Sequence, residues 1–169
     1  MDYHEILSKF ISPKASWPSL IEQHRKAVPE AYGPEGNLYN LIGGTWGQPG
    51  HGKLFLSPVD ATPLGRYPMI RLEAARAAVV AAEAEFHAWS KTDLDERKRK
   101  VTETLGDLEA HADLLAKTLV WEIGKPYSQS KVSVDRCISG VRWYVGQIDS
   151  MMEGRKPLGP VSYTHLRAH

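Results

Sequence analysis

The feature that most constrains the fold is a helical spacing of apolar residues in the second half of the chain. The most regular segment has apolar residues at alternating steps of four and three: Val134, Ile138, Val141, Val145, Ile148 and Met152. Such steps place side chains on one face of an α-helix. The segment is therefore predicted to form one long helix with a single apolar seam, which Gly154 and Pro157 end.

Three earlier segments have the same period and predict three further helices. The apolar stripe of the first is formed by Leu72, Ala75, Ala78, Val79, Ala82, Phe86 and Trp89. The stripe of the second consists of Leu94, Val101, Leu105 and Leu108, and Asp93 and Asp95 supply negative charge that favours a helix start. The third contains Leu114, Leu115, Leu119 and Ile123, and Gly124 followed by Pro126 is typical of a helix end.

The part of the chain before residue 72 has less regular patterns. Residues 1–36 are predicted to be a peripheral N-terminal extension with short helices that Pro13, Pro18 and Pro29 interrupt. The apolar or aromatic residues that line these helices are Ile6, Leu7, Phe10, Leu20, Ile21 and His24. Residues 37–46 and 53–59 are predicted to be short strands, either a β-hairpin or two adjacent strands. Residues 57–68 are predicted to leave the strand, because proline cannot donate to a central ladder.

Composition excludes several classes of protein. The chain has 169 residues, about the length of one domain, and a net charge of +1, which gives it no general attraction to nucleic acid. It has no apolar run near the ~20 residues of a membrane helix. The single cysteine, Cys137, excludes an internal disulfide and fits a reducing compartment. We expect a cytoplasmic protein with neither nucleic acid nor membrane as a partner.

The predicted elements define a chain that is mainly α-helical with a short β-hairpin. The repeating βαβ units that build a dinucleotide-binding sheet are missing from the pattern. A complete Rossmann fold is therefore not expected within these residues.

Residues 47–53 match the phosphate-binding spacing G-x-x-x-x-G-K, which aims backbone amides and a lysine at phosphates. The next residue is Leu54, where a magnesium-binding hydroxyl is required, and an apolar strand follows in place of a helix. The context favours a hairpin loop over a phosphate site.

Three other groups of residues have a functional and a structural interpretation. Residues 97–100 are basic but lie among Asp93, Asp95, Glu96 and Glu103, which favours a solvated helix face over a nucleic-acid patch. Glu83 and His87 are one helical turn apart, and two ligands without a third favour a surface pair over a metal site. Cys137 lies in the middle of a helix beside Ile138, which favours packing over nucleophilic catalysis.

The ordered motifs of the chain resemble the N-terminal region of the aldehyde dehydrogenase superfamily. The motifs are Asn40-Leu-Ile-Gly-Gly-Thr-Trp46, the Ser57-Pro58 turn, the alanine-rich helix over residues 74–89, Glu96-Arg97, and Trp121-Glu-Ile-Gly-Lys-Pro126. Glu122, Gly124, Lys125 and Pro126 match the family's E-x-G-K-P helix end residue by residue. The turn departs from the family, since Ser57-Pro-Val stands where the family has Asn-Pro-Ala.

The resemblance implies a full-length parent with an α/β, Rossmann-type fold that oxidises an aldehyde with NAD or NADP. In the family a cysteine thiolate attacks the carbonyl, hydride passes to the nicotinamide, and a glutamate-activated water releases the thioester. These residues lie downstream of the matched region, so no catalytic, cofactor-binding or metal-binding residue is predicted in this chain. The chain alone is expected to bind no cofactor and to be inactive, and the parent is expected to be a homo-oligomer.

The resemblance therefore divides the chain into three parts. They are an extension over residues 1–36, the N-terminal part of the aldehyde dehydrogenase domain over residues 37–160, and a non-native tail over residues 161–169. Residues 161–169 resemble the translation of an adapter used in sequencing libraries. This likeness predicts that the reading frame leaves genuine coding sequence near Val161. The rival interpretation of the whole chain is a self-standing helical interaction module that binds a partner through the seam from Val134 to Met152.

Overall fold

The computed structural model describes residues 16–33, 37–47 and 52–153. The helices in this part of the chain are α1 (Trp17–Ala27), α2 (Leu72–Trp89), α3 (Leu94–Ala110), α4 (Ala112–Ile123) and α5 (Tyr127–Met152), with a short 3-10 helix over Pro29–Ala31. The strands are β1 (Asn40–Ile42), β2 (Thr45–Gly47), β3 (Gly52–Leu56) and β4 (Pro63–Pro68). The described chain is therefore mainly helical, as predicted.

The predicted helix ends agree with the local chemistry of the structure. Asp93 caps α3, because its carboxylate accepts a hydrogen bond from the backbone N of Asp95 at 2.9 Å. Gly124 follows α4 in the left-handed conformation at φ +69°. Helix α5 starts directly after Pro126, well before the first predicted seam residue, Val134. It ends at Met152, and the predicted stop signals at Gly154 and Pro157 lie outside the described residues.

The strand prediction is wrong in its pairing. Strand β1 pairs with β2, and β3 pairs with β4, so the two predicted strand segments belong to separate two-stranded antiparallel sheets. The turn between β1 and β2 contains Gly43 and Gly44, both with positive φ. Two consecutive residues with positive φ close a tight hairpin whose twist matches its strands. This turn, rather than the longer loop after Gly47, therefore decides how the first two strands pair.

The expectation that the chain leaves the sheet over residues 57–68 is also wrong, because residues 63–68 form β4. Pro63 and Pro68 stand at the two ends of this strand, opposite Leu56 and Gly52, and the ladder is irregular between Phe55 and Leu56. In a two-stranded sheet both strands are edge strands, so a terminal proline does not interrupt an interior ladder.

Two buried clusters hold the described chain together, and α4 contributes to both. The first joins α3, α4 and α5 through Leu105, Ala116, Val134 and Ile138. The second joins α1, β4 and α4 through Trp17, Leu20 and Leu64, against which Leu114 and Trp121 pack. Leu114 and Trp121 are seven residues apart, so they share one face of α4, while Ala116 faces the other cluster.

The described part of the predicted N-terminal extension packs into the second cluster. The indole N of Trp17 donates to the carbonyl O of Leu64 at 3.0 Å, and its ring lies 6.3 Å from the ring of Trp121. His24 Nε2 is 2.8 Å from the hydroxyl of Thr118. Helix α1 is thus bound to α4 and β4 by contacts distant in sequence. The boundary at residue 36 stays a prediction, because residues 34–36 lie outside the described residues, as do the predicted helix positions Ile6, Leu7 and Phe10.

Helix α2 is the least covered element. None of its residues is buried, and Val79 and Phe86 are 67% and 60% exposed. The predicted apolar stripe is present and mostly open: Ala75 and Ala78 are half-buried, and the Trp89 ring lies under Lys100, but the other stripe residues are exposed. No helix among the described residues is long and apolar enough to cross a bilayer.

Candidate functional site

Cys137, the single thiol of the chain, lies outside any site. It is exposed on α5, whereas the adjacent Ile138 is buried at 5% exposure. The prediction that Cys137 packs as a small hydrophobic residue is wrong, because consecutive residues in a helix point about 100° apart. No described residue forms a hydrogen bond or ion pair with Cys137, so nothing in that part of the chain activates it as a nucleophile.

Glu83 and His87 are both exposed on α2, as the surface interpretation predicts. Within residues 16–33, 37–47 and 52–153, no three His, Cys, Asp or Glu side chains come together as metal ligands. A structural metal site normally has four ligands. The pair therefore gives no basis for a metal centre.

The basic residues of α3 are mostly ion-paired, as expected for a solvated face. Lys98 contacts Asp95 at 2.6 Å and Asp149 at 2.8 Å. Arg99 contacts Glu96 at 2.7 Å and also pairs with Glu103. These acidic neighbours neutralise the charge that a phosphate backbone would need. Among the four basic residues at positions 97–100, only Arg97 forms no ion pair with a described residue.

The segment with the phosphate-binding spacing is built into strands at both ends. Gly47 is the last residue of β2, and Lys53 lies within β3 opposite Tyr67. Residues 48–51 lie outside the described residues. Since a strand follows Lys53, no helix N-terminus is available there for a phosphate. The hairpin interpretation is corrected as well, because this segment connects two hairpins.

The E-x-G-K-P helix end forms a structural junction with the turn that follows β3. The hydroxyl of Ser57, which is 3% exposed, donates to the carbonyl O of Trp121 at 2.7 Å and accepts from the backbone N of Val59 at 3.2 Å. A Cβ on Gly124 would lie 3.7 Å from Pro58, at ordinary contact distance. The turn and the end of α4 are therefore packed directly on each other.

The same motif also begins the next helix. Lys125 donates through Nζ to the hydroxyl of Ser133, and the hydroxyl of the fully buried Ser130 donates to the carbonyl O of Lys125 at 3.2 Å. Pro126 caps α5, and its carbonyl O accepts from the backbone N of Ser130 at 2.9 Å. Gly124, Lys125 and Pro126 thus turn the chain from α4 into α5.

A cavity of about 170 Å³ lies beside this junction, between α1, the β3–β4 hairpin and α4. Its walls include aromatic side chains and three polar groups that the sequence did not single out together: Trp17, Tyr32, Phe55, His24, Thr118 and Glu122. Its volume is well below the ~300 Å³ at which ordinary ligand pockets begin. The cavity therefore suits water or a very small molecule.

Burial controls the charge of the titratable groups in this cavity. It raises the pKa of Glu122 above the ordinary value of 4.5. Burial also raises the pKa of Tyr32, where Arg25 acts against the shift and Glu122 adds to it. The pKa of His24 is lowered first by burial and then by the charge of His111. All three shifts favour the neutral forms, which reduces the cost of enclosing these groups.

The described residues do not form a dinucleotide site. A dinucleotide binds across the carboxyl ends of parallel strands with a helix N-terminus at the pyrophosphate. In the described chain the two sheets are antiparallel hairpins, and the cavity beside Glu122 is too small for a nucleotide. No step of a redox reaction is therefore assigned to these residues.

Sequence reasoning missed the residues that hold the junction and the cavity together. Ser57 stood out only as part of a turn, and Thr118, Tyr32 and Ser130 carried no signal of their own. Their roles depend on partners far along the chain, such as Trp121 for Ser57, which short-range patterns do not report. A serine before a proline and close to an apolar strand is the only local signal that Ser57 offers.

These features define the class of fold: helices packed with two antiparallel hairpins, without a parallel dinucleotide-binding sheet among the described residues. The same arrangement occurs in the solved structure of HpcC from Thermus thermophilus, with a TM-score of 0.65 and 25% identity, over 80% of this chain and 25% of that one. The model of the aldehyde dehydrogenase family matches residues 50–168. The chain belongs to the aldehyde dehydrogenase family.

Curated relatives of the chain include two semialdehyde dehydrogenases. The chain is 30% identical over 130 residues to the aspartate-semialdehyde dehydrogenase (non-phosphorylating) of Halomonas elongata, a match that covers 76% of this chain and 25% of the relative. It is 27% identical over 115 residues to the NADP(+) succinate-semialdehyde dehydrogenase GabD of Escherichia coli, covering 65% of this chain and 24% of that relative. The chain spans about a quarter of the length of these relatives.

Proposed function

We propose that this chain supplies the helical scaffold of an NAD(P)-dependent aldehyde dehydrogenase, which oxidises an aldehyde to the acid. The observation that carries the proposal is the family match over residues 50–168. The position of the E-x-G-K-P motif supports it, because Glu122, Gly124, Lys125 and Pro126 lie at a junction between helices and hairpins. The scaffold would hold the helices in register with a dinucleotide sheet contributed by further residues of a longer polypeptide.

The 169-residue chain itself is proposed to be inactive and to bind no cofactor. The only thiol is exposed without an activating partner among the described residues, and the described hairpins do not form a crevice for a dinucleotide. A thiolate nucleophile needs a base or a positive dipole beside it. No catalytic, cofactor-binding or metal-binding residue is proposed in this chain.

The substrate of the full-length protein is proposed to be a small aldehyde, and its cofactor NAD+ or NADP+. The names of the relatives support this range, since they include aspartate and succinate semialdehydes and NADP(+). A homo-oligomer and a cytoplasmic location are proposed as well. A lone cysteine fits a reducing compartment.

A self-standing interaction module is the second candidate, and the open part of the α5 seam favours it. Val134 and Ile138 are buried against α3 and α4, whereas Met152 is 72% exposed. A coiled coil would need an exposed seam over about three to four heptads. Because its first half is occupied within the chain, the seam is too short for that use, and the scaffold proposal is preferred.

The full-length protein tests the proposed function. The genomic DNA is sequenced through the codons of residues 153–169 and beyond, and the complete open reading frame is expressed. Formation of NADH or NADPH is then followed with acetaldehyde, succinate semialdehyde and aspartate semialdehyde. Turnover of at least one aldehyde that depends on a downstream cysteine is expected. A complete reading frame that ends near residue 169 would contradict the proposal.

The same DNA sequence tests the predicted non-native tail. The family match extends through residue 168, and residues 154–169 lie outside the described residues. If the tail is an adapter, the genomic sequence diverges from the codons of residues 163–169. If it continues unchanged through them, the tail belongs to the protein.

A further inference from the structure

A groove of about 320 Å³ runs between the first part of α3 and the last part of α5. Its α5 wall consists of Val141, Val145 and Ile148, which continue the seam beyond the buried Ile138. Its α3 wall includes Leu94 and Val101. The groove is therefore the direct continuation of the first buried cluster, but no described residue fills it.

One cationic side chain in the wall of this apolar groove has no partner among the described residues. The Nε atom of Arg97 is buried and donates to no acceptor in that part of the chain. The other three basic residues of the run all form ion pairs: Lys98, Arg99 and Lys100. Arg97 lines the groove together with Lys98, whose amine is already held by Asp95 and Asp149.

The unpartnered guanidinium restricts what can cover the groove. An apolar segment alone would remove water from Arg97 and leave a buried, unpaired charge, which is strongly unfavourable. An arginine guanidinium cannot avoid this cost by losing its proton. A carboxylate is the group that best compensates it, because it accepts two parallel hydrogen bonds from the guanidinium.

We propose that in the full-length protein an apolar segment from outside residues 1–169 fills this groove and pairs a carboxylate with Arg97. The inference rests on the proposed function for the existence of that longer polypeptide. The chain spans about a quarter of the length of its relatives, so most of the polypeptide is available to supply the segment. The proposed pair also gives a role to the Glu96-Arg97 motif, which lies outside the junction at Glu122.

Carbodiimide cross-linking of the full-length protein tests the pair directly. The Arg97→Lys variant keeps the positive charge and introduces an amine, which the reagent joins to a carboxylate in direct contact. Mass spectrometry is expected to find a new cross-link between position 97 and an Asp or Glu beyond residue 169. The wild-type protein, which has no amine at this position, is the control and lacks this cross-link.

Three outcomes would overturn the inference. They are the absence of a new cross-link, a cross-link only to acidic residues within residues 1–169, such as Asp95 or Asp149, and a cross-link between subunits. Mixing subunits with natural and heavy nitrogen identifies the last of these. A full-length protein that oxidises aldehydes but forms no cross-link would refute the groove pairing and leave the proposed function intact. A full-length protein that forms the cross-link but oxidises no aldehyde would refute the proposed function and leave the groove pairing intact.

Thermal unfolding of the full-length protein provides a second measurement. The Arg97→Leu variant leaves the incoming carboxylate buried without its cation and is expected to unfold about 4 °C or more below the wild type. The control is Arg99→Leu on the same helix, which removes only exposed ion pairs and is expected to shift the midpoint by less than about 1 °C. Equal midpoints for the two variants would contradict the inference.

Discussion

Gly124 occupies a backbone conformation that favours glycine over any other residue. Its φ of +69° ends α4, and the space beside it is bounded by Pro58 and Val59 at ordinary contact distance. The constraint therefore comes from the backbone rather than from crowding. A side chain with a Cβ in this region is strained by about 1 kcal/mol or somewhat more.

We predict that Gly124→Ala lowers the free energy of unfolding by about 1 to 2 kcal/mol. The matched control is Gly106→Ala, because Gly106 lies within α3 and a Cβ added there would meet nothing within 4 Å beyond its own helix. There alanine should stabilise by about 0.5 to 1 kcal/mol. Urea unfolding followed by tryptophan fluorescence measures both variants, and a stabilising Gly124→Ala would refute the account of this cap.

Glu122 makes the stability of the chain depend on pH. Burial raises its pKa in the folded state, so the folded state holds the proton more tightly than the unfolded state does. The stabilising contribution of this proton is complete below the unfolded pKa and is lost as the pH rises through the folded pKa.

Glu122→Gln is therefore predicted to be more stable than the wild type at about pH 7 and equally stable below about pH 4. Urea titrations at a series of pH values measure the difference. Glu83→Gln on the exposed α2 is the control and should have little effect at any pH. A Glu122→Gln variant that is less stable at neutral pH would mean that the carboxylate has a favourable partner.

At the scale of single residues, the sequence predicted the conformation of helix ends better than it predicted which side chains are buried. Gly124 was assigned correctly because a left-handed cap depends on the residues next to it. Asp93 was placed at the start of a helix for its charge, and the structure adds that it caps α3. Cys137 was assigned incorrectly because one position along a helix separates a buried side chain from an exposed one. The cavity beside Glu122 was not foreseen, since its walls come from helices and strands distant in sequence.

At the scale of secondary structure, one hydroxyl connects a hairpin to a helix. Ser57 is almost fully buried and donates to the carbonyl O of Trp121 across 64 positions of sequence. Its hydrogen bond fixes the turn after β3 to the end of α4. The aldehyde dehydrogenase family has asparagine in the corresponding turn, and a serine hydroxyl is also able to donate to a carbonyl.

Ser57→Ala is predicted to lower the free energy of unfolding by about 1 to 2 kcal/mol, because it removes a partly buried hydrogen bond between two elements distant in sequence. Ser139→Ala is the control, since the exposed Ser139 donates only to carbonyl groups of its own helix. Its effect should stay within about 0.5 kcal/mol. Equal effects of the two substitutions, measured by urea unfolding, would contradict the role given to the Ser57 bond.

Helices were easier to predict from the sequence than the pairing of strands. The four helices from α2 to α5 were identified from their period, and α1 was indicated by Leu20, Ile21 and His24. Pro18 was expected to interrupt a helix, but it lies in the first turn of α1, where proline is tolerated. The pairing of the strands was not predicted correctly, because a short strand can pair with either neighbour and turn geometry decides the register. The glycines at the tip of the β1–β2 hairpin decide it here, since both adopt positive φ.

At the scale of the whole molecule, much apolar surface is left open. Helix α2 exposes Val79, Val80 and Phe86, and the groove between α3 and α5 is unfilled by any described residue. Contiguous apolar patches on a protein surface mark places where another chain or segment binds. These surfaces are consistent with a scaffold that is completed by further parts of a longer polypeptide.

The isolated 169-residue chain is therefore predicted to bind a hydrophobic fluorescent dye and to self-associate as its concentration rises. Replacing Val79 and Val80 together with glutamate should reduce both effects, because both side chains are more than half exposed and their loss creates no cavity. Light scattering and dye fluorescence measure the result. A monomeric chain that melts cooperatively and binds no dye would instead support the self-standing module.

The chain belongs to the aldehyde dehydrogenase family, and we propose that it carries only part of the scaffold of such an enzyme. The most direct test compares the purified 169-residue chain with the full-length protein for NADH or NADPH fluorescence, under the same aldehyde and cofactor conditions. The full-length protein is predicted to produce reduced cofactor, and the 169-residue chain to remain at the level of the buffer. Aldehyde-dependent turnover by the 169-residue chain would contradict the claim.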